Sequence, residues 1–264
     1  MKVVILCGGG GTRLREETEF RPKPLVEVGN RPILWHIMKM YSHYDFCDFV
    51  LCLGYRGNMI KEYLLNYDAM NNDFTITVGD RRNVEYHGQA NDGPRKVTLV
   101  DGGLEAQTGT RVKRAEAHLD GDEFMVTYGD GLSDIDIRKL LAFHRAHGKI
   151  ATVSVARGAS RFGVVGIEDS GRITSFAEKP RTDQWINAGF FVFKREFLRY
   201  LNDSDDCVLE GAPLQQAAAD GELMAYRHEG FFYAMDTYKE HLQLNEMWRR
   251  GEMPWAVWQS IAKG

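Results

Sequence analysis

The sequence has no long hydrophobic run. None of its apolar stretches approaches the roughly 20 residues that a membrane-spanning helix requires, and no charged leader with an apolar core precedes the first apolar run at Val3. Membrane insertion is therefore not expected. Basic residues are not in excess either: 33 Lys and Arg stand against 37 Asp and Glu, a net charge of −4. A nonspecific nucleic-acid binder needs a basic face to displace counterions, so that class is not expected, and any phosphate binding must be local. Cysteine is sparse. Cys7, Cys47, Cys52 and Cys207 form no Cys-x-x-Cys pair and sit mostly in apolar segments, which predicts reduced thiols and a cytoplasmic location.

What the chain does have is length and ordinary apolar content. Its 264 residues, 44% of them hydrophobic, suffice for a substantial core in one large α/β domain. The most informative stretch runs from Val3 to Pro24. Val3 to Leu6 is a β-branched, apolar run of the kind that sits inside a parallel sheet with both faces covered. It breaks into Gly8, Gly9, Gly10 and Gly11, followed by Thr12, Arg13 and, after a gap, Lys23 between Pro22 and Pro24. Glycines let main-chain N–H groups converge on phosphate oxygens with no Cβ in the way. Arg13 adds a planar guanidinium suited to bidentate phosphate contact, and Lys23 adds a point charge on a backbone held by two prolines. The stretch reads as a triphosphate clamp with two cations.

Two better-known glycine loops do not fit. A Walker loop needs Gly-Lys-Ser/Thr, whereas Gly11 is followed by Thr12 and Arg13. The dinucleotide fingerprint can be laid on Gly9 and Gly11, but its third glycine falls on Leu14. The next apolar run, Phe49 to Leu53, ends in Gly54-Tyr55-Arg56 where an acidic ribose ligand belongs. A merely flexible turn leaves Arg13 and the Pro-Lys-Pro unexplained.

Downstream, the patterning predicts a helix after Pro32 with Ile33, Ile37, Met40 and Tyr44 on one stripe, the strand Phe49 to Leu53, and a helix from Met59 to Tyr67. Alternation of strand and helix implies parallel strands joined by right-handed crossovers. Phe74 to Val78 and Val97 to Val100 read as two strands separated by a polar stretch, 79–96, which is either a solvated surface hairpin or a lid or subunit contact. Thr108-Gly109-Thr110-Arg111 opens a helix to about His118, with either threonine a candidate cap. Phe124 to Thr127 is a buried strand ending in Tyr128-Gly129-Asp130-Gly131. Ligands of open α/β sheets collect beyond strand carboxyl ends, which makes Asp130 a candidate metal ligand, with a surface Asp-Gly turn as the competing reading. A helix through His147 follows. His144 and His147 have a spacing that can ligate metal, but no third ligand lies nearby in sequence, and that reading is rejected. Val164 to Ile167 and Ile173 to Phe176 form an antiparallel hairpin ending in Glu178-Lys179-Pro180; by residue type alone the Glu-Lys pair is a solvated loop. Gly189 to Phe193 is a further strand, and Tyr238 to Arg250 a late helix. The aromatic tail Trp255 to Trp258 is either an intrasubunit clasp or an oligomer contact.

Gly-x-Gly-Thr-Arg-Leu after an apolar strand, with Pro-Lys-Pro following, resembles the signature of sugar-1-phosphate nucleotidyltransferases, and the likeness is strongest to members that use CTP and glucose 1-phosphate. It extends through ILWHIMKMYS, TYGDG, FHRAHGK, INAGFFVF, MDT and the PW near the C terminus. The resemblance implies a Rossmann-like α/β fold with a mixed, mostly parallel sheet and small antiparallel hairpins. One domain would carry a nucleotide-binding part over about 1–130, a sugar-phosphate part over about 131–240 and a C-terminal helix and tail. It implies nucleotide contacts from Leu6, the glycines Gly8 to Gly11, Thr12, Arg13 and Lys23, and base contacts from Thr108, Gly109 and Arg111. Lys179 would hold the sugar phosphate, Glu178 and Asn187 would read sugar hydroxyls, and Tyr128, Gly129 and Gly189 would line that end. Asp130 and Asp236 would share one Mg²⁺. The partners implied are a nucleoside triphosphate, a sugar 1-phosphate and further copies of the chain. Three positions depart from the pattern: Cys7 for a small alanine, and Thr110 and Ala188 for glycines in the base and sugar loops.

Overall fold

The computed structural model describes residues 1–79, 83–87, 93–159, 162–178 and 181–259. In chain order its main elements are β1 (Lys2–Cys7), α1 (Ile33–His43), β2 (Asp48–Leu53), α2 (Gly57–Leu65), β3 (Lys96–Asp101), α3 (Thr108–Arg114), β4 (Glu123–Tyr128), α4 (Ile137–His147), β5 (Ala151–Ala159), β6 (Arg181–Lys194), α5 (Ala212–Ala219), β7 (Leu223–His228) and α6 (Tyr238–Arg249). The strands form one seven-stranded sheet in the order β7-β5-β6-β4-β1-β2-β3. All neighbours pair in parallel except β6, which runs antiparallel to both β4 and β5. This is the mixed, mostly parallel sheet that the resemblance implies.

Both faces of the sheet are covered, and the two-residue period of the strands sorts their side chains between them. Val3, Ile5 and Cys7 pack with Phe49, Leu51, Met125, Phe190 and Val192 against α1, α4 and the Leu244 turn of α6. Val4 and Leu6 face the other way with Val50, Val126, Phe191 and Phe193, under Val112 of α3, the turn at Phe197 and Ala217 of α5. The ends of α4 are well marked. Asp136 accepts from the Lys139 N–H at 3.0 Å, and Gly148 closes the helix in the left-handed region.

Among the described residues, four two-stranded ladders decorate this frame. The hairpin Val164–Ile167 with Ile173–Ala177 is the expected one. The strand beginning at Asp73 differs from expectation: Asp73–Ile76 pairs with Val84–His87, inside the polar stretch, and Val97 to Val100 belongs instead to β3, the edge strand beside β2. Cross-strand contacts such as Phe74 with Tyr86 compensate for the weak alternation of Val84–His87. Arg81 and Arg82 lie outside the described residues. The third ladder joins Gly131–Ser133 to Phe232–Ala234. Its consequence is functional, because it brings Asp130 and Asp236 side by side. The tail is an intrasubunit clasp: Trp255 is fully buried, its indole N–H donates to His36 Nδ1 at 3.3 Å, and Trp258 meets Trp35 edge-on.

Candidate active site

β1 and β4 are parallel neighbours, so the glycine loop after Cys7 and the Gly129-Asp130 turn after Tyr128 leave the same edge of the sheet. The loop turns at Gly11, whose φ of +62° suits glycine and where a Cβ would lie 2.5 Å from Thr18 Cγ2. Leu14 N–H then donates to Gly11 O at 2.9 Å, and Thr18 Oγ1 donates to the same carbonyl at 3.0 Å. A cavity of about 240 Å³ opens in front of it. Of the residues expected at the nucleotide and phosphate site, Leu6, Gly9, Gly11, Thr12, Arg13, Lys23, Thr108, Arg111, Tyr128, Gly129, Asp130 and Asp236 all line it, and a backbone Cβ at Gly9 would meet nothing within 4 Å. A larger cavity, about 1050 Å³, lies at the opposite edge among Met1, Asp120, Asp122 and Arg195; its charges are of mixed sign, and no residue of the glycine loop reaches it.

The electrostatic centre of the smaller cavity is Lys23. Its Nζ donates to Asp130 Oδ2 at 2.5 Å and to Asp236 Oδ1 at 2.8 Å, while Arg13 Nη2 reaches Asp236 Oδ1 at 3.0 Å. Burial alone would pull the Lys23 ammonium down, but the two carboxylates outweigh it and hold it above the ordinary lysine range. The acids meet although they are far apart in the chain. The Gly131–Ser133/Phe232–Ala234 ladder aligns the two segments, and Met235 N–H donates to Asp130 O at 3.0 Å. Asp134 reinforces it, accepting from Phe231 N–H at 2.7 Å and pairing with His228 at 2.9 Å. Burial would raise the Asp134 carboxyl, yet its hydrogen bonds to His228 and Phe231 bring it below the usual carboxylate range. On the other side, Glu240 Oε2 accepts from the Asp236 and Thr237 N–H groups at 2.7 and 2.8 Å, closing a capping box on α6.

Two carboxylates converging on one point charge also fit a divalent cation. Mg²⁺ usually takes one or two carboxylates and completes its shell with substrate oxygens and water. Among the described residues no group of three His, Cys, Asp or Glu side chains could hold a metal, so the remaining ligands would have to come from substrate and solvent.

The base loop is arranged differently from expectation. α3 starts at Thr108 with Gln107 in the cap position, so neither threonine caps it, and it ends at Arg114 before a separate turn at Glu116–His118. Thr108 Oγ1 donates to Glu210 Oε2 at 2.7 Å, and Thr110 donates to Ser204 O. Gly109 packs against the backbone of Cys207 and Leu209, where a Cβ would come within 2.8 Å of Cys207 O. Arg111 is only 6% exposed. Its Nη2 donates to the carbonyls of Gly8, Gly103 and Leu104 at 3.0, 3.3 and 3.4 Å, bracing the loop from beneath, while its buried Nε has no partner among the described residues. Of the three departures from the family pattern, Thr110 and Ala188 are buried off the cavity walls, whereas Cys7, also buried, lines the cavity; burial, followed by Cys52 and Asp130, pushes its thiol well above the usual range.

At the end expected to take the sugar phosphate, Gly189 has a φ of +78°, and a Cβ there would lie 2.3 Å from the Tyr128 ring. Asn187 Nδ2 donates to the Tyr128 hydroxyl at 3.1 Å, so Asn187 and Gly189 reach the cavity through Tyr128 and do not line it themselves. Glu178 is exposed at the end of the Ile173–Ala177 strand and does not line the cavity either; Lys179 lies outside the described residues. Gly8 and Gly10 also stand off the walls. Glu210, which the sequence reading did not single out, joins Thr108 to Tyr128; nothing in its local sequence marks it.

A family model for nucleotidyl transferases matches residues 2–248. The chain belongs to that family. It is 45% identical over 261 residues to a glucose-1-phosphate cytidylyltransferase of Salmonella typhi, covering 98% of this chain and all of the relative, and 42% identical over 258 residues to a probable glucose-1-phosphate cytidylyltransferase of Bacillus subtilis with the same coverage. A mannose-1-phosphate guanylyltransferase catalytic subunit beta of Dictyostelium discoideum is 30% identical over 92% of this chain and 63% of its own. Among solved structures, HddC from Yersinia pseudotuberculosis superposes with a TM-score of 0.69 at 21% identity, over 94% of this chain and 99% of that one. A UDP-glucose pyrophosphorylase complexed with UDP-glucose gives 0.69 at 14% identity, over 95% and 98%. These two show a shared nucleotidyltransferase fold.

Proposed function

We propose that this nucleotidyltransferase moves a cytidylyl group from CTP to α-D-glucose 1-phosphate, releasing pyrophosphate and forming CDP-glucose, a donor for polysaccharide or deoxysugar synthesis. The observation that carries the reading is the junction of Lys23, Asp130, Asp236 and Arg13 at the mouth of the glycine loop. The choice of CTP and glucose 1-phosphate is supported by relatives of 42 to 45% identity that bear that name.

In the reaction an oxygen of the sugar phosphate attacks the α-phosphorus, and the bond from that phosphorus to the bridging oxygen of pyrophosphate breaks. The nucleophile is already ionised at neutral pH, so no general base is needed, and catalysis reduces to positioning and charge neutralisation. The loop amides hold the triphosphate. Lys23 serves the α-phosphate, Arg13, exposed at the rim, the departing β,γ unit, and Lys179 the incoming phosphate. Asp130 and Asp236 would hold Mg²⁺, which supplies further charge neutralisation at the phosphates when bound. The reading includes a cytoplasmic, homo-oligomeric enzyme; among the described residues no helix is long and apolar enough to cross a membrane.

Pyrophosphate release measured with CTP, UTP, GTP and ATP against a panel of hexose and heptose 1-phosphates tests the assignment. CTP with glucose 1-phosphate is expected to give the highest kcat/KM. A higher value for another pair would replace the substrates, and no release with any pair would point to a nucleotide-sensing protein.

A further inference from the structure

The polar side chains behind the cavity form a directed chain. Gly189 N–H donates to Asn187 Oδ1 at 2.8 Å, Asn187 Nδ2 donates to the Tyr128 hydroxyl at 3.1 Å, and that hydroxyl donates to Glu210 Oε1. From the other side Thr108 Oγ1 donates to Glu210 Oε2 at 2.7 Å while accepting from Leu209 N–H at 2.9 Å. An ionised carboxylate only accepts, so Glu210 is where both arms end, and its charge fixes the direction of every link. Burial, and next the Glu210 carboxylate, keep the Tyr128 proton in place far above neutral pH, so Tyr128 remains the donor. The arms lead to opposite ends of the site. Thr108 stands in the cavity wall near the glycine loop, and Asn187 and Gly189 lie at the sugar-phosphate end.

We propose that Glu210 is a positioning residue that couples the nucleotide and sugar-phosphate ends, so that each ligand tightens the binding of the other. The inference rests on the function proposed above. A ligand that orders the Thr108 arm fixes Glu210 and thereby removes part of the ordering cost of the Tyr128–Asn187 arm; linkage makes the effect reciprocal. Glu210 is itself exposed and outside both hydrophobic clusters, so its removal opens no core cavity.

The test is calorimetric binding of cytidine with and without saturating glucose 1-phosphate, a pair that cannot react and has no phosphate–phosphate repulsion. In the unaltered protein glucose 1-phosphate is expected to tighten cytidine by about five-fold or more, within the usual range of such couplings. In Glu210→Ala the ratio falls to near one with an unchanged melting temperature. Glu210→Gln restores part of it, because its amide oxygen still accepts from Tyr128 while its NH₂ donates to the second lone pair of Thr108 Oγ1. A ratio of one in the unaltered protein, or the same ratio in Glu210→Ala, overturns the inference alone. An unaltered protein that binds neither ligand overturns the function reading and the coupling with it.

Discussion

Lys23 holds two roles that a single substitution separates. In the free protein it is the cation between Asp130 and Asp236; in the proposed reaction it meets charge that grows on the α-phosphate in the transition state. Lys23→Ala is therefore expected to lower kcat by about 10² to 10³, the loss typical of one removed charge-stabilising donor, while triphosphate affinity changes far less. Equal losses in both would refute that role. The same variant leaves Asp130 and Asp236 facing each other with only the exposed Arg13, on Asp236, as a cation, so Mg²⁺ is expected to raise its melting temperature more than that of the unaltered protein. A second residue-scale prediction concerns Gly11→Ala. It forces a side chain into the left-handed region and against Thr18, at a cost of about 1 to 3 kcal/mol, read as a lower denaturation midpoint together with weaker CTP binding. That Gly11, Arg13, Lys23 and Asp130 would meet at one site was legible in sequence because short contiguous motifs carry them, and all four line the cavity. Glu210 was not, since its place is set only by contacts to Thr108 at the start of α3 and Tyr128 at the end of β4, both far away in the chain.

At the scale of elements, the site depends on a three-residue ladder more than on any helix. Gly131–Ser133 and Phe232–Ala234 are too short for a period of two to register, which is why the meeting of Asp130 and Asp236 had to be borrowed from the family resemblance. The strand Val84–His87 escaped for a related reason, being short, largely exposed and set in a polar stretch. Long buried strands such as β1 and β4 were read directly from their apolar runs. Side chains fasten the ladder as well: Ser133 Oγ donates to Phe231 O at 2.7 Å, and Asp134 ties Phe231 and His228 to the Asp130 side. Asp134→Ala removes those bonds and leaves the Phe231 N–H without its acceptor, with an expected stability loss of about 1 to 3 kcal/mol. Because the two acids then lose their register, the Mg²⁺ concentration for half-maximal activity is expected to rise. A variant that is less stable but keeps the original Mg²⁺ midpoint would show that the ladder does not set the spacing of the acids.

For the whole molecule, the C-terminal clasp links the tail to the packed body through His36, and this makes stability depend on pH. The sequence left Trp255 to Trp258 open between a clasp and an oligomer contact, because aromatic content says that a surface will be covered but not by what. In the structure the tail packs on its own chain: Trp255 donates its indole N–H to His36 Nδ1, and His36 Nε2 bonds the Val28 carbonyl at 2.9 Å, so the ring must be neutral with its proton on Nε2. Burial, against the pull of the Val28 carbonyl, takes the imidazole down to about 4. A histidine depressed in the folded state contributes its full stability above its unfolded pKa of about 6.5 and loses it as pH falls toward 4, because there only the unfolded chain takes up the proton. The slope is about 1.4 kcal/mol per pH unit for one such group. Protonation also turns Nδ1 into a donor facing the Trp255 N–H, so the clasp is the part of the fold expected to weaken. Urea midpoints followed by tryptophan fluorescence should therefore fall between pH 7 and pH 5. In His36→Gln, which keeps a neutral donor and acceptor near the same place, the pH dependence should be smaller though not absent, because His144, also fully buried and pulled down to about 4, retains its share. An identical pH dependence in the two proteins would remove His36 as the source of the acid sensitivity.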